Sequence, residues 1–141
     1  FPSFKGDIQP IDMTNDPDIL PKWSMISEED AKENWRPSGW QIISASDEHL
    51  YVLMQKNGSW GSHKSGGEEV WVFDTSQQKR IKRIALENPG FSIEVTGGKK
   101  PLLAVTGTDM TIWVYDLDGE LQRNIVVGAP SAMPIMLNAK R

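Results

Sequence analysis

Few residues in this chain have the types and spacing that do chemistry. The two histidines, His49 and His63, stand in no H-E-x-x-H or other ligand-spaced cluster, so no metal site is expected. His49 falls in a hairpin turn, where an imidazole is solvated, and His63 falls in a long loop over residues 56–68. Glu68 and Glu69 are adjacent carboxylates, but neighbours on a strand point to opposite faces and would not share a substrate. No order of Ser, His and Asp singles out a nucleophile, although a triad is assembled in space rather than along the chain. The stretch "TGGKKP" (96–101) lacks the G-x-x-x-x-G-K-[ST] spacing of a phosphate loop and leads into a strand, so it reads as a turn. "NGS" (57–59) is formally a glycosylation acceptor and a weak signal. The absence of cysteine excludes disulfides, thiolate zinc sites and a Cys nucleophile. No catalytic, cofactor-binding or metal residue is therefore expected in this chain.

The totals narrow the field further. A length of 141 residues suits one domain. Net charge is −4 with no basic block, so nucleic acid is not an expected partner. No apolar run approaches the ~18 residues of a membrane span. Opening at Phe1, without an initiator Met or signal segment, the chain reads as a mature, cleaved or partial product. Six tryptophans are many for this length, so large rings matter to packing or to an interface.

The elements that must position these residues come from a repeat. "EVWVFDTSQQKRI" (69–81) returns as "TIWVYDLDGELQR" (111–123), pairing Val70 with Ile112, Trp71 with Trp113, Val72 with Val114, Phe73 with Tyr115 and Asp74 with Asp116. The similarity extends upstream, where "GWQIISAS" and "HLYVLMQ" correspond to "GFSIEVT" and "PLLAVTG". Each copy reads as four short strands, at 41–46, 50–55, 69–74 and 80–86, then at 91–95, 102–106, 111–116 and 121–127. Four strands per unit at a period near 40–50 residues is the pattern of a β-propeller blade. A β-sandwich with two similar hairpins is the alternative; the propeller is preferred because the likeness covers all four strands in order. Trp71, Phe73, Trp113 and Tyr115 are expected in the core, since both faces of a blade pack on neighbours.

The flanks add partial units. "GDIQPIDM" (6–13) resembles a third strand and "ILPKWSMI" (19–26) a fourth. "SEEDAKEN" (27–34) opens with Ser27 and places Asp30 three residues on, the pattern of a capping box, so a short helix is expected. The fold expected is all-β: a propeller fragment of about two and a half four-stranded blades. Its parts are the end of one blade (1–26), a helix and linker (27–38), two blades (39–86 and 90–128) and a ring-closing strand within 129–141, at 134–138. Since propellers need ~4–8 blades to close, the remaining blades are expected in another polypeptide.

The connecting sequences carry a family resemblance. "WRPSGWQ" (35–41), "HK" (63–64) ahead of "VWVFDTSQQKRI", and "KPLLAVTGTDMTIWVYD" (100–116) resemble the C-terminal part of the heavy subunit of methylamine dehydrogenase and of aromatic amine dehydrogenase. The likeness continues through "FPSFKGDIQPIDM" (1–13) and "EEDAKENW" (28–35), and so covers nearly the whole chain in order. It implies a seven-bladed propeller subunit of a periplasmic quinoprotein. It also implies a small partner subunit that carries tryptophan tryptophylquinone and oxidises primary amines to aldehyde and ammonia. A small copper protein would accept the electrons. The chain is shorter than that heavy subunit, which would need several more blades before Phe1.

Non-catalytic heavy subunit is thus the first expected role; a propeller scaffold for protein–protein contacts without redox chemistry is the alternative. A stand-alone enzyme using the central channel is weakest, because no convergent acid–base set is visible. In an up-and-down blade, the lead-in "WRPSGW" and the loop 56–68 fall at the same end. Trp35, Arg36, Trp40, Trp60, His63 and Lys64 are therefore the candidates for a partner interface. The bland alternative is a flexible Gly/Ser insert at 56–68, with "WRPSGW" packed under the next blade as local structure.

Overall fold

The computed structural model describes residues 3, 5–39, 43–45 and 48–127, the side chains of residues 43, 44 and 63 excepted. Residues 7–24 form a nested antiparallel hairpin. β1 (Asp7–Ile8) pairs β4 (Trp23–Ser24), and β2 (Ile11–Asp12) pairs β3 (Asp18–Ile19). The sequence reading placed one strand in 6–13 and one in 19–26. Pro10 and Pro21 instead cut each arm in two, because proline has no N–H for the ladder. The Gln9 side-chain amide carries the pairing across the gap by donating to the Leu20 carbonyl at 2.7 Å. Helix α1 (Glu28–Lys32) starts at the expected capping box: Ser27 Oγ accepts from the Asp30 N–H, and the Asp30 carboxylate accepts from the Ser27 N–H.

The rest is one antiparallel sheet. β5 (Arg36–Pro37) and β6 (Ile43–Ala45) both pair β7 (His49–Gln55). They are two pieces of one edge, and between them the Ser38 N–H donates to the Leu53 carbonyl at 3.0 Å. β8 (Gly67–Asp74), β9 (Lys79–Val95), β10 (Leu102–Gly107), β11 (Thr111–Asp116) and β12 (Leu121–Val126) follow. The order across the sheet is β12-β11-β10-β9-β8-β7-β5, and among the described residues the sheet does not close on itself. This is the antiparallel, nearly all-strand architecture of a propeller fragment. The first four-stranded unit is β6, β7, β8 and the early part of β9; the second is the end of β9, β10, β11 and β12. β6 also lies beside β9, so the first strands of the two units are neighbours.

One difference from the sequence reading is that 80–86 and 91–95 form one strand, β9, of 17 residues. Pro89 looks like a break. It is not, because proline fixes an extended-compatible φ and pushes Asn88 toward extended backbone as well. Its missing N–H costs nothing, since the ladders to β8 and β10 leave residues 86–89 without partners.

Side-chain alternation then builds two cores. On β7 and β8, Val52, Met54, Trp71 and Phe73 face one side, where Ile8, Met25 and Trp35 cover them. Tyr51, Leu53, Val70 and Val72 face the other, against Ile84, Ile93, Val95, Leu103, Val105 and Tyr115. Each large buried side chain contributes roughly 1.5–3 kcal/mol by removal from water. Of the four expected core aromatics, Trp71, Phe73 and Tyr115 are fully buried and Trp113 is partly buried against the second core.

The units approach each other where glycines leave room. Gly90 pairs Gly67 on one side and Gly107 on the other. A Cβ on Gly90 would stand 2.5 Å from Val105 Cγ1, and one on Gly67 would stand 2.4 Å from Leu53 Cγ. Gly90→Ala is expected to destabilise the protein by about 1–3 kcal/mol through overpacking. Chemical unfolding should show that Gly90→Ala combined with Val105→Ala costs less than the sum of the two single changes, because the second removes the obstruction.

Candidate functional site

The β7–β8 loop, residues 56–66, folds back onto residues 33–38. The Asn57 N–H donates to the Glu33 carbonyl at 3.2 Å and the Gly58 N–H to the Asn34 carbonyl at 2.8 Å. Lys56 Nζ pairs with Glu33 Oε1 at 3.0 Å. Ser38 Oγ reaches the Ser62 carbonyl at 3.2 Å. Within the loop, Ser62 Oγ accepts from the Ser59 N–H at 2.9 Å and donates to the Ser59 carbonyl at 2.8 Å. Asn34 and Asn57 hold left-handed backbone, at φ 53° and 55°, a conformation asparagine tolerates. Gly58 admits no side chain, because a Cβ would lie 2.8 Å from Arg36 Cγ. The lead-in and the long loop do lie at the same end of the sheet.

The candidates fare differently. Trp60 is 94% exposed at the loop's tip, and Lys64, in a 3-10 turn (Ser62–Lys64), is exposed too. Arg36 is half-buried, with Nη1 donating to the Trp35 carbonyl at 2.6 Å. The backbone of His63 lies in that same turn, its side chain outside the described atoms, and Trp40 lies outside the described residues. Trp35 departs from expectation: it is 2% exposed, so its ring has no surface to offer a partner. The cause is a stack in which Trp35 meets Trp71 at 5.1 Å between ring centroids, with the Arg83 guanidinium 4.6 Å above Trp35.

That stack belongs to a cluster that sequence reasoning missed. Arg80 lies 4.1 Å over Trp71 and pairs with Asp30 at 2.8 Å, which fastens α1 to the sheet. Arg83 grips Glu69 with two hydrogen bonds, at 2.6 and 2.9 Å. The indole N–H of Trp71 donates to Glu69 at 2.7 Å and that of Trp35 to Glu33 at 2.9 Å. The signal was present in "KRIKR" (79–83) opposite "EVWVF" (69–73), but the pairing of Arg83 with Trp71 depends on register shifts that spacing does not show. The Asp30 and Glu69 carboxylates are each held by an arginine, and Glu33 by Lys56 and the Trp35 N–H, so these contacts tie helix, lead-in and strands together. Among the described residues, no group of three or more His, Asp or Glu could hold a metal, and no helix is long and apolar enough to cross a membrane.

Electrostatics give the cluster a pH dependence. Burial alone would push the Asp30 carboxyl up; hydrogen bonds from Ser27 and Arg80 outweigh it and hold the group below its ordinary value. Glu69 behaves alike, with burial opposed and outweighed by Arg83 and the Trp71 N–H. Carboxyls lowered by folding stabilise the fold above their unfolded value, ~4, and that contribution is lost as pH falls through the folded value. Stability from urea titrations should therefore be level near neutrality and drop below about pH 4. Asp30→Asn should lower the plateau and flatten the acid limb; an acid limb as steep as that of the unmodified chain would assign the loss to other groups.

With the geometry described, comparison with known proteins is informative. A sequence profile of the family described as "Methylamine dehydrogenase heavy chain (MADH)" matches residues 1–133. The chain is 29% identical over 120 residues to the methylamine dehydrogenase heavy chain of Methylobacillus flagellatus, covering 82% of this chain and 30% of that one. It is 28% identical over 120 residues to the heavy chain of Methylorubrum extorquens, covering 82% and 29%. Against the heavy chain of Paracoccus versutus the identity is 28% over 130 residues, covering 89% and 30%. The matched part is thus less than a third of these relatives' length. The match runs through the N-terminal hairpin, the helix, the loop face and both four-stranded units, and so the chain belongs to the methylamine dehydrogenase heavy chain family.

Proposed function

We propose that this chain supplies part of the heavy subunit of a periplasmic amine dehydrogenase and carries no catalytic residue itself. The observation that carries the reading is the family match across 1–133, in order and nearly end to end. In this reading, a small partner subunit holds tryptophan tryptophylquinone, which supplies the two-electron oxidation of a primary amine to aldehyde and ammonia. A small copper protein takes the electrons. The chain's own residues scaffold: the two cores hold the sheet, and the loop over 33–38 presents a fixed surface. The chain matches about 30% of its relatives' length, so the other blades of such a propeller lie outside the sequence described. The loop face, with Arg36, Trp60 and Lys64, is where the partner docks.

The test is spectroscopic. Material purified through this chain should contain a second, smaller chain by mass spectrometry and show a visible quinone absorption that bleaches on adding a primary amine. The chain alone should be colourless. A co-purifying complex with no visible absorption and no response to amines would sink this reading and favour a propeller scaffold without redox chemistry.

A further inference from the structure

We infer that residues 56–66 form a preorganised docking tip whose Trp60 ring enters an apolar recess rimmed by carboxylates on the partner subunit. The inference rests on the amine dehydrogenase reading above and specifies how that partner is gripped.

Three observations converge on it. The first is that the fold does not need this loop. The second unit joins its corresponding strands, β10 and β11, through residues 108–110 alone, where the first unit uses 56–66. The insertion puts an indole at 94% exposure, while the other described tryptophans are buried or half-buried. Aromatic residues bury ~150–250 Å² each, so leaving one in water forgoes stability that a docked state recovers.

The second is rigidity. Both limbs of the loop are tied to residues 33–38, by Asn57 to Glu33, Gly58 to Asn34, Lys56 to Glu33 and Ser38 to Ser62. The Ser59–Ser62 bonds close the turn that carries Trp60. A tip already held in shape loses little conformational freedom on binding, which leaves more of the contact energy as affinity.

The third is charge. The chain's net charge is −4, yet residues 57–66 contain Lys64 and no Asp or Glu, Lys56 offsets the neighbouring Glu33, and Arg36 lies beneath Gly58. A basic tip on an acidic chain is complemented by an acidic rim around an apolar recess, and such complementarity steers encounter and fixes register. A lipid surface suits the tip less well. Its other exposed residues are polar or glycine, and interfacial anchors need a continuous apolar face.

The test measures affinity for the quinone-bearing small subunit by calorimetry, with the heavy-subunit assembly containing this chain as wild type, Trp60→Ala, Trp60→Phe and Lys64→Glu. Thermal melts run alongside. Trp60→Ala should weaken binding about 30-fold or more with an unchanged melting temperature, because so exposed a side chain adds little to the fold. Trp60→Phe should retain part of the affinity. Lys64→Glu should weaken binding and reduce its dependence on salt. If the wild type binds and Trp60→Ala binds within twofold of it, the docking tip is wrong while the amine dehydrogenase reading stands. If the wild type does not bind the small subunit, both fall. A blue shift of Trp60 emission on anionic phospholipid vesicles, with no loss of protein affinity in Trp60→Ala, overturns the inference in favour of a membrane contact.

Discussion

The indole of Trp71 is the contact on which the remaining structure depends. It is wholly buried, faces Trp35 on one side and lies under the guanidinium groups of Arg80 and Arg83. Four parts of the chain meet there: α1 through Asp30, the 33–37 segment through Trp35, β8 through Glu69, and β9 through both arginines. Partly exposed ion pairs of this kind are worth ~0–1 kcal/mol each. Burial of the two indoles, with cation–π contacts of ~0.5–2 kcal/mol, dominates. The charges select the arrangement more than they stabilise it, because a guanidinium over an indole face must also reach a carboxylate.

The loop face over residues 33–38 inherits its shape from this stack. Burying Trp35 fixes the backbone of its neighbours, and the carbonyls of Glu33 and Asn34 are the ones that receive the loop's N–H groups. Arg36, next in sequence, anchors to the Trp35 carbonyl and fills the space under Gly58. The proposed docking face thus rests on a core contact through two residues of backbone. Trp71 thus supports, through Trp35, the carbonyls to which the loop is tied.

Much of this could be read from residues. The 42-residue offset between Trp71 and Trp113 places equivalent strands in equivalent positions, and period-two alternation on 50–54 and 70–73 specifies two faces, both buried. Ser27 and Asp30 announce the helix start because capping is local chemistry. What could not be read depends on distant pairing. Trp35, beside Arg, Pro and Gly, has the local character of a surface loop; only the ring of Trp71 across the fold makes it core. Pro89 has the local character of a break, and only the absence of ladder partners over 86–89 shows why it is harmless. The Arg83–Glu69 grip follows from register shifts along β8 and β9, which no spacing rule predicts. The loop at 56–68 was legible as long and aromatic, but its ties to 33–38 are backbone bonds that composition does not encode.

The shared strand bears on how such a molecule comes apart. Stacked repeats behave as nearly independent modules, each contacting only its neighbours, so that stability is a sum of unit and interface terms. Here β9 is the last strand of one unit and the first of the next, without a solvated linker between them. One unit cannot melt without stripping the other of an edge, and the second core loses Ile84 or Ile93 in the process. The two blades therefore form a single cooperative element. In amide exchange, their slowest-exchanging protons would be released together rather than blade by blade.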